Sequence, residues 1–84
     1  MEKRALEIAQ NLRAGRTYRK TTASTGVKYL TISYDAGYGD FPPRWVQTTH
    51  WERVNPVDDG VMVLDEDEAI DRIMGMHFHL VPNA

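Results

Sequence analysis

Between residues 2 and 14 the apolar positions recur at helical spacing. Ala5, Ile8, Ala9 and Leu12 fall at i, i+3, i+4 and i+7 with Leu6 beside them, while Lys3, Glu7, Gln10 and Arg13 take the other side. Gly15 stands where a helix commonly ends in a left-handed residue, and Glu2 ahead of Arg13 suits the helix dipole. From Arg16 onward the period drops to two. Residues 17–23 are rich in β-branched side chains, Ser24-Thr25-Gly26 supplies a turn, and 27–35 continues as a strand. A three-residue loop pairs Ala23 with Val27, and that register sets Tyr18 opposite Ile32 with Leu30 and Tyr34 on the same face. Thr17, Arg19, Thr21, Tyr29, Thr31 and Ser33 fall on the other. One apolar and one polar face is the pattern of an antiparallel sheet covered by helix on one side.

Residues 35–43, with two glycines, two aspartates and a double proline, cannot continue a regular element and predict a long loop. Residues 44–54 return to alternation, with Trp45, Thr49 and Trp51 on one face and Val46, Thr48, His50 and Val54 on the other. A second loop covers 55–60, and 61–64 is long enough only for a brief strand. A second helix begins at Asp65, which can cap it with Glu68 three residues on; Ala69, Ile70, Ile73 and Met74 form its buried stripe, which His77 would extend unless Gly75 ends the helix early. Residues 77–81 alternate and suit a short closing strand before Pro82. The expected fold class is α+β: an N-terminal helix, a three- to four-stranded antiparallel sheet and a second helix near the C-terminus, with residues 1–84 forming one compact domain.

Composition narrows the activities. A hydrophobic fraction of 42% with a net charge of only −2 belongs to a chain that folds. With no cysteine there is no disulfide framework, thiolate metal site or cysteine nucleophile, and the expected setting is a reducing cytoplasm. The first residues are not expected to act as a signal peptide, and the longest apolar run, 61–64, is far short of a membrane span. No membrane partner and no cofactor are expected. No phosphate-cradling glycine pattern and no nucleophile elbow is present, and the carboxylates at 65–68 sit in a solvated first helical turn. The chain is expected not to be an enzyme.

Three surfaces remain as candidates. The loop carries Tyr38 and Phe41, aromatics that a loop struggles to bury, among glycines that let backbone approach a partner; Asp40 and Arg44 flank them. Charge is polarised along the chain. Residues 1–53 hold nine Lys and Arg against five Asp and Glu, a net of +4; residues 54–84 hold one against seven, a net of −6. Asp58, Asp59, Glu66 and Asp67 would form an acidic flank suited to a basic patch on another protein, and their alternative roles are turn formation and helix capping. The leading expectation is therefore a small protein-binding domain, an inhibitor or adaptor, in the manner of the compact phage and mobile-element proteins that block host machinery, anti-CRISPR inhibitors among them. A second is a single-stranded nucleic-acid binder using Arg16, Arg19, Lys20 and Lys28 of the first hairpin, against which stands the pI of about 5.8. A third is a metal site built on His77 and His79, two apart as on one face of a strand, with His50 or an aspartate as a further ligand; the alternative is that they are the polar positions of an edge strand. Homodimerisation through a strand edge is also open to a sheet this small.

Overall fold

A computed structural model describes residues 2–23, 26–52 and 60–82. Along the chain run α1 (Lys3–Arg13), β1 (Tyr18–Thr21), β2 (Val27–Asp35), β3 (Arg44–Trp51), β4 (Val61–Leu64), α2 (Glu66–Gly75) and β5 (His79–Leu80). The α+β architecture expected from the periodicity is present, and both short segments join the sheet as its fourth and fifth strands. The order is β4-β3-β2-β1-β5, with every neighbouring pair antiparallel. The first four strands form a meander. After α2 the chain crosses back so that β5 lies outside β1.

Period-two patterning sets which face is buried. Tyr18 pairs with Ile32 as the hairpin register requires, and Ile32 pairs onward with Gln47. Tyr18, Leu30, Ile32, Tyr34, Trp45, Leu64 and Leu80 belong to one core with Ile8, Ala9 and Leu12 of α1 and Ala69, Ile70 and Ile73 of α2. Both helices thus cover the same face. Phe78, just beyond α2, is 1% exposed and closes that core against β5. Leu6, by contrast, is largely in solvent, because it lies at the margin of the α1 stripe. Among the described residues the one buried polar side chain is Gln47, whose Oε1 accepts a hydrogen bond from Arg72 Nη1 at 3.0 Å. A buried amide needs such a partner to avoid an uncompensated desolvation cost. Arg13 at the end of α1 reaches Glu66 at the start of α2, with Nε donating to Oε2 at 3.1 Å. Its guanidinium lies 5.4 Å from the Tyr34 ring centroid and 5.2 Å from that of Trp45. Arg13 thereby ties both helix ends to the sheet.

The opposite face carries Arg19, Tyr29, Thr31, Ser33, Val46, Thr48 and His50 by strand alternation, with no helix over it among the described residues. Tyr29 and His50 stack with ring centroids 4.4 Å apart, Arg19 lies 5.4 Å over the Tyr29 ring, and Thr31 Oγ1 is 2.9 Å from His50 Nε2.

The helix α2 ends at Gly75 as expected, but its cap is closed further on. The helix runs through Gly75, and the left-handed residue is His77, with φ of 58°. Phe78 N–H donates to Ile73 O at 3.0 Å, closing the terminal loop of a left-handed helix cap. That capping bond and the burial of Phe78 outweigh the local preference for glycine. Because His77 is exposed and bears an unfavourable φ, His77→Gly is expected to raise stability by roughly 0.5 to 1 kcal/mol, read as a higher urea midpoint at constant m. A lower midpoint would show that the imidazole makes a stabilising contact.

Candidate functional site

The 35–44 loop is held shut by its own chemistry. Asp35 and Arg44 are the last registered pair of β2 and β3, and Arg44 Nε donates to Asp35 Oδ2 at 3.3 Å. The other oxygen, Asp35 Oδ1, accepts from Gly37 N–H at 2.9 Å, the short-range bond by which aspartate makes a turn. First that backbone donor and then Arg44 hold the Asp35 carboxyl below the ordinary carboxylate range. A lowered pKa means the constraint is complete above that range and is released only as pH falls through the lowered value. It is intact at neutral pH.

Beyond Gly37 the chain makes a tight turn. Phe41 N–H donates to Tyr38 O at 3.0 Å, and Gly39, at the first central position, has φ of 57°. A positive φ there favours glycine. Gly37, with φ of 74°, is more tightly constrained, since a Cβ on it would lie 2.3 Å from Phe41 O and 2.9 Å from Pro42 O. The backbone has closed onto the one residue type that leaves room for it.

The closed loop presents its aromatic side chains to solvent. Tyr38 is 80% exposed and Phe41 68%, with ring centroids 5.7 Å apart and planes tilted by 48°. Beneath them an open groove of about 750 Å³ runs between the loop and the end of the sheet. Its apolar wall comes from Tyr38, Phe41 and Pro42 on one side and from Trp45, Val63 and Leu64 on the other. Asp35, Arg44 and Asp65 are its charged members.

Of the sequence candidates, Tyr38, Phe41 and Arg44 come together here, and Asp40 sits exposed in the turn between the rings. Asp58 and Asp59 lie outside the described residues. Glu66 is engaged by Arg13, whereas Asp67 is exposed in the first turn of α2. The acidic residue that reaches the groove is Asp65, whose Oδ1 also accepts from Glu68 N–H at 2.8 Å as the helix cap. Sequence reading gave Asp65 only the capping role and missed Trp45, Val63 and Leu64 as lining residues. The alternation of β3 and β4 identifies their faces, but the loop that folds over their ends has no period to read.

The other two candidate sets are dispersed. Arg16 Nη2 donates to Val81 O at 3.0 Å, and Lys20 pairs with Leu30 on the helix-covered face. Arg19 stacks on Tyr29 on the opposite face, and Lys28 is exposed at the bulge between Val27 and Tyr29. These four cations form no single stripe. His77 lies in the helix cap and His79 in β5, so the strand spacing that would align them is not formed. Among the described residues no group of three or more His, Asp or Glu side chains converges as a metal site. No helix among them is long and apolar enough to cross a membrane. No protein-family model, curated protein or solved structure matches the chain.

Proposed function

We propose that this chain is a non-enzymatic protein-binding domain whose contact surface is the aromatic loop and the groove beneath it. The observation that carries this reading is the pairing of rigidity with exposure: two of its most exposed large apolar side chains sit on a loop closed at Asp35, Gly37 and Arg44. An aromatic side chain buries about 150 to 250 Å² on binding, and a loop already in its bound shape loses little entropy when it docks. Exposed aromatics held this way are the usual anchors of interfaces. The partner surface that fits them is an apolar patch with basic residues facing Asp40 and Asp65. Such a domain acts as an inhibitor or an adaptor by covering part of its partner. A blocking role like that of small phage and mobile-element inhibitors, anti-CRISPR proteins included, would use the same surface. The cysteine-free composition fits such work in a reducing cytoplasm.

The test is capture of partners from source-cell lysate by the tagged chain and by its Tyr38→Ala/Phe41→Ala variant, with and without nuclease, identified by mass spectrometry. A nuclease-resistant protein partner is expected, with recovery falling at least about tenfold in the variant, since truncating an anchor costs roughly 2 kcal/mol or more. Equal recovery by both proteins would end this reading. A partner lost on nuclease treatment would turn attention to the basic residues of β1 and β2.

A further inference from the structure

The two ends of the sheet are finished differently. At one edge β5 is two residues long and is followed by Pro82, which has no N–H to offer another strand. At the other edge β4 is Val-Met-Val-Leu, with no charge, no proline and no bulge. Val61 is 55% exposed, Met62 45% and Val63 55%. Natural sheets shield their edges with charges, proline or bulges, and β4 has none of these.

The hydrogen-bond phase of this edge follows from one bond. Thr49 N–H donates to Gly60 O at 3.3 Å, which makes Thr49 and Gly60 a bonded pair of the β3–β4 ladder. Antiparallel ladders alternate bonded and non-bonded pairs, so Met62 with Gln47 and Leu64 with Trp45 also bond inward. The N–H and C=O groups of Val61 and Val63 therefore point outward. Among the described residues nothing pairs with them.

We infer that β4 is the interface through which two copies of this chain pair, edge to edge, into one continuous ten-stranded antiparallel sheet. The outward groups specify the register: Val61 opposite the partner's Val63, Met62 opposite the partner's Met62 on the two-fold axis, and Val63 opposite the partner's Val61. Each Val61–Val63 pair then exchanges two backbone hydrogen bonds, four in all, and the valines meet across the strands on the uncovered face. The two methionines meet on the helix side, where α2 leaves Met62 partly exposed. A second copy suits this edge because residues 61–64 are uncharged and pair symmetrically about Met62, while the acidic residues on either side of them, Asp65 included, oppose the pairing at low salt. A stable dimer covers about 800 Å² per partner. A four-residue edge supplies only part of that, so the dimer is weak, populated at roughly 100 µM and above. Tyr38 and Phe41 take no part in the pairing, but Val63 belongs to both the edge and the groove wall, so the two surfaces meet there.

Sedimentation velocity over about 10 µM to 1 mM is the test. The expected mass rises with concentration from the 9.6 kDa of one chain towards twice that value. Val63→Pro removes an outward N–H and leaves the inward ladder intact, and Val63→Lys adds an edge charge; both are expected to hold the protein monomeric across the range with unchanged circular dichroism. Amide exchange in the unmodified chain provides a second readout: Val61 and Val63 are expected to become protected as concentration rises. A mass fixed at one chain up to 1 mM, or association that persists in both variants, would overturn the proposal, as would protection that does not change at those two amides.

Discussion

Replacing Phe78 by Ala is expected to lower the stability of the domain by about 3 to 5 kcal/mol. Phe78 is among the largest side chains that are fully buried, and it enters the core immediately after the left-handed turn at His77. Its removal leaves a cavity in the core between α2 and β5. A chain of 84 residues has about 4 to 12 kcal/mol of total stability. Loss of this one ring therefore removes about a quarter or more of that total. Urea titration followed by circular dichroism is the measurement. A loss below about 1.5 kcal/mol would mean that α2 is held by its other contacts and that Phe78 does not anchor it.

The second large effect concerns Gly37. In Gly37→Ala the new methyl group would meet two backbone carbonyls, Phe41 O at 2.3 Å and Pro42 O at 2.9 Å. Neither can swing away as a side chain would. The residue would also carry φ of 74°, which costs an L-amino acid about 1 to 2 kcal/mol. Together these exceed what one side-chain bond from Asp35 and one exposed ion pair can hold, so the loop opens and the strands remain. The expected result is a fall in stability of about 1 to 3 kcal/mol and loss of nearly all partner capture, because Tyr38 and Phe41 no longer share one fixed surface. Gly39→Ala is the matched control. It carries φ of 57°, but its Cβ would meet nothing within 4 Å, so only the backbone cost of about 1 kcal/mol remains and most capture survives. If the two variants behaved alike, backbone crowding at Gly37 would not be what keeps the loop closed.

Elements governed by local period could be read from the chain; those governed by long-range pairing could not. The helix expected over 2–14 is Lys3–Arg13, and the hairpin register, with Tyr18 opposite Ile32, follows from alternation and the turn at Gly26. The cap of α2 is the Asp65–Glu68 arrangement that its spacing implies. Strand order was beyond reach, because β5 has two residues and its place beside β1 depends on the α2 crossover. α2 ends at Gly75, the local terminator, but the left-handed residue that closes its cap is His77, a position set by the burial of Phe78 and not by glycine preference. At the candidate site, the aromatics and glycines of the loop could be identified as a surface. That Asp35 holds the loop, and that Asp65 in place of Glu66 borders the groove, depends on how the 35–44 segment folds over two strand ends.

The position of β1 bears on how the protein is made. Tyr18 lies between Ile32 on one side and Leu80 on the other, so an early strand receives its second neighbour only from a late one. As the chain emerges during synthesis, the β2–β3 ladder can form early, but β1 keeps one bare edge until residue 80 appears. Before α2 and Phe78 arrive, the apolar face carrying Leu30, Ile32 and Trp45 lacks much of its cover. Between the completion of β3 at Trp51 and the arrival of β5 the nascent chain is thus an exposed half-sheet, a species inclined to aggregate. Its yield in cells should be sensitive to translation rate and to chaperone supply in ways that the finished domain is not.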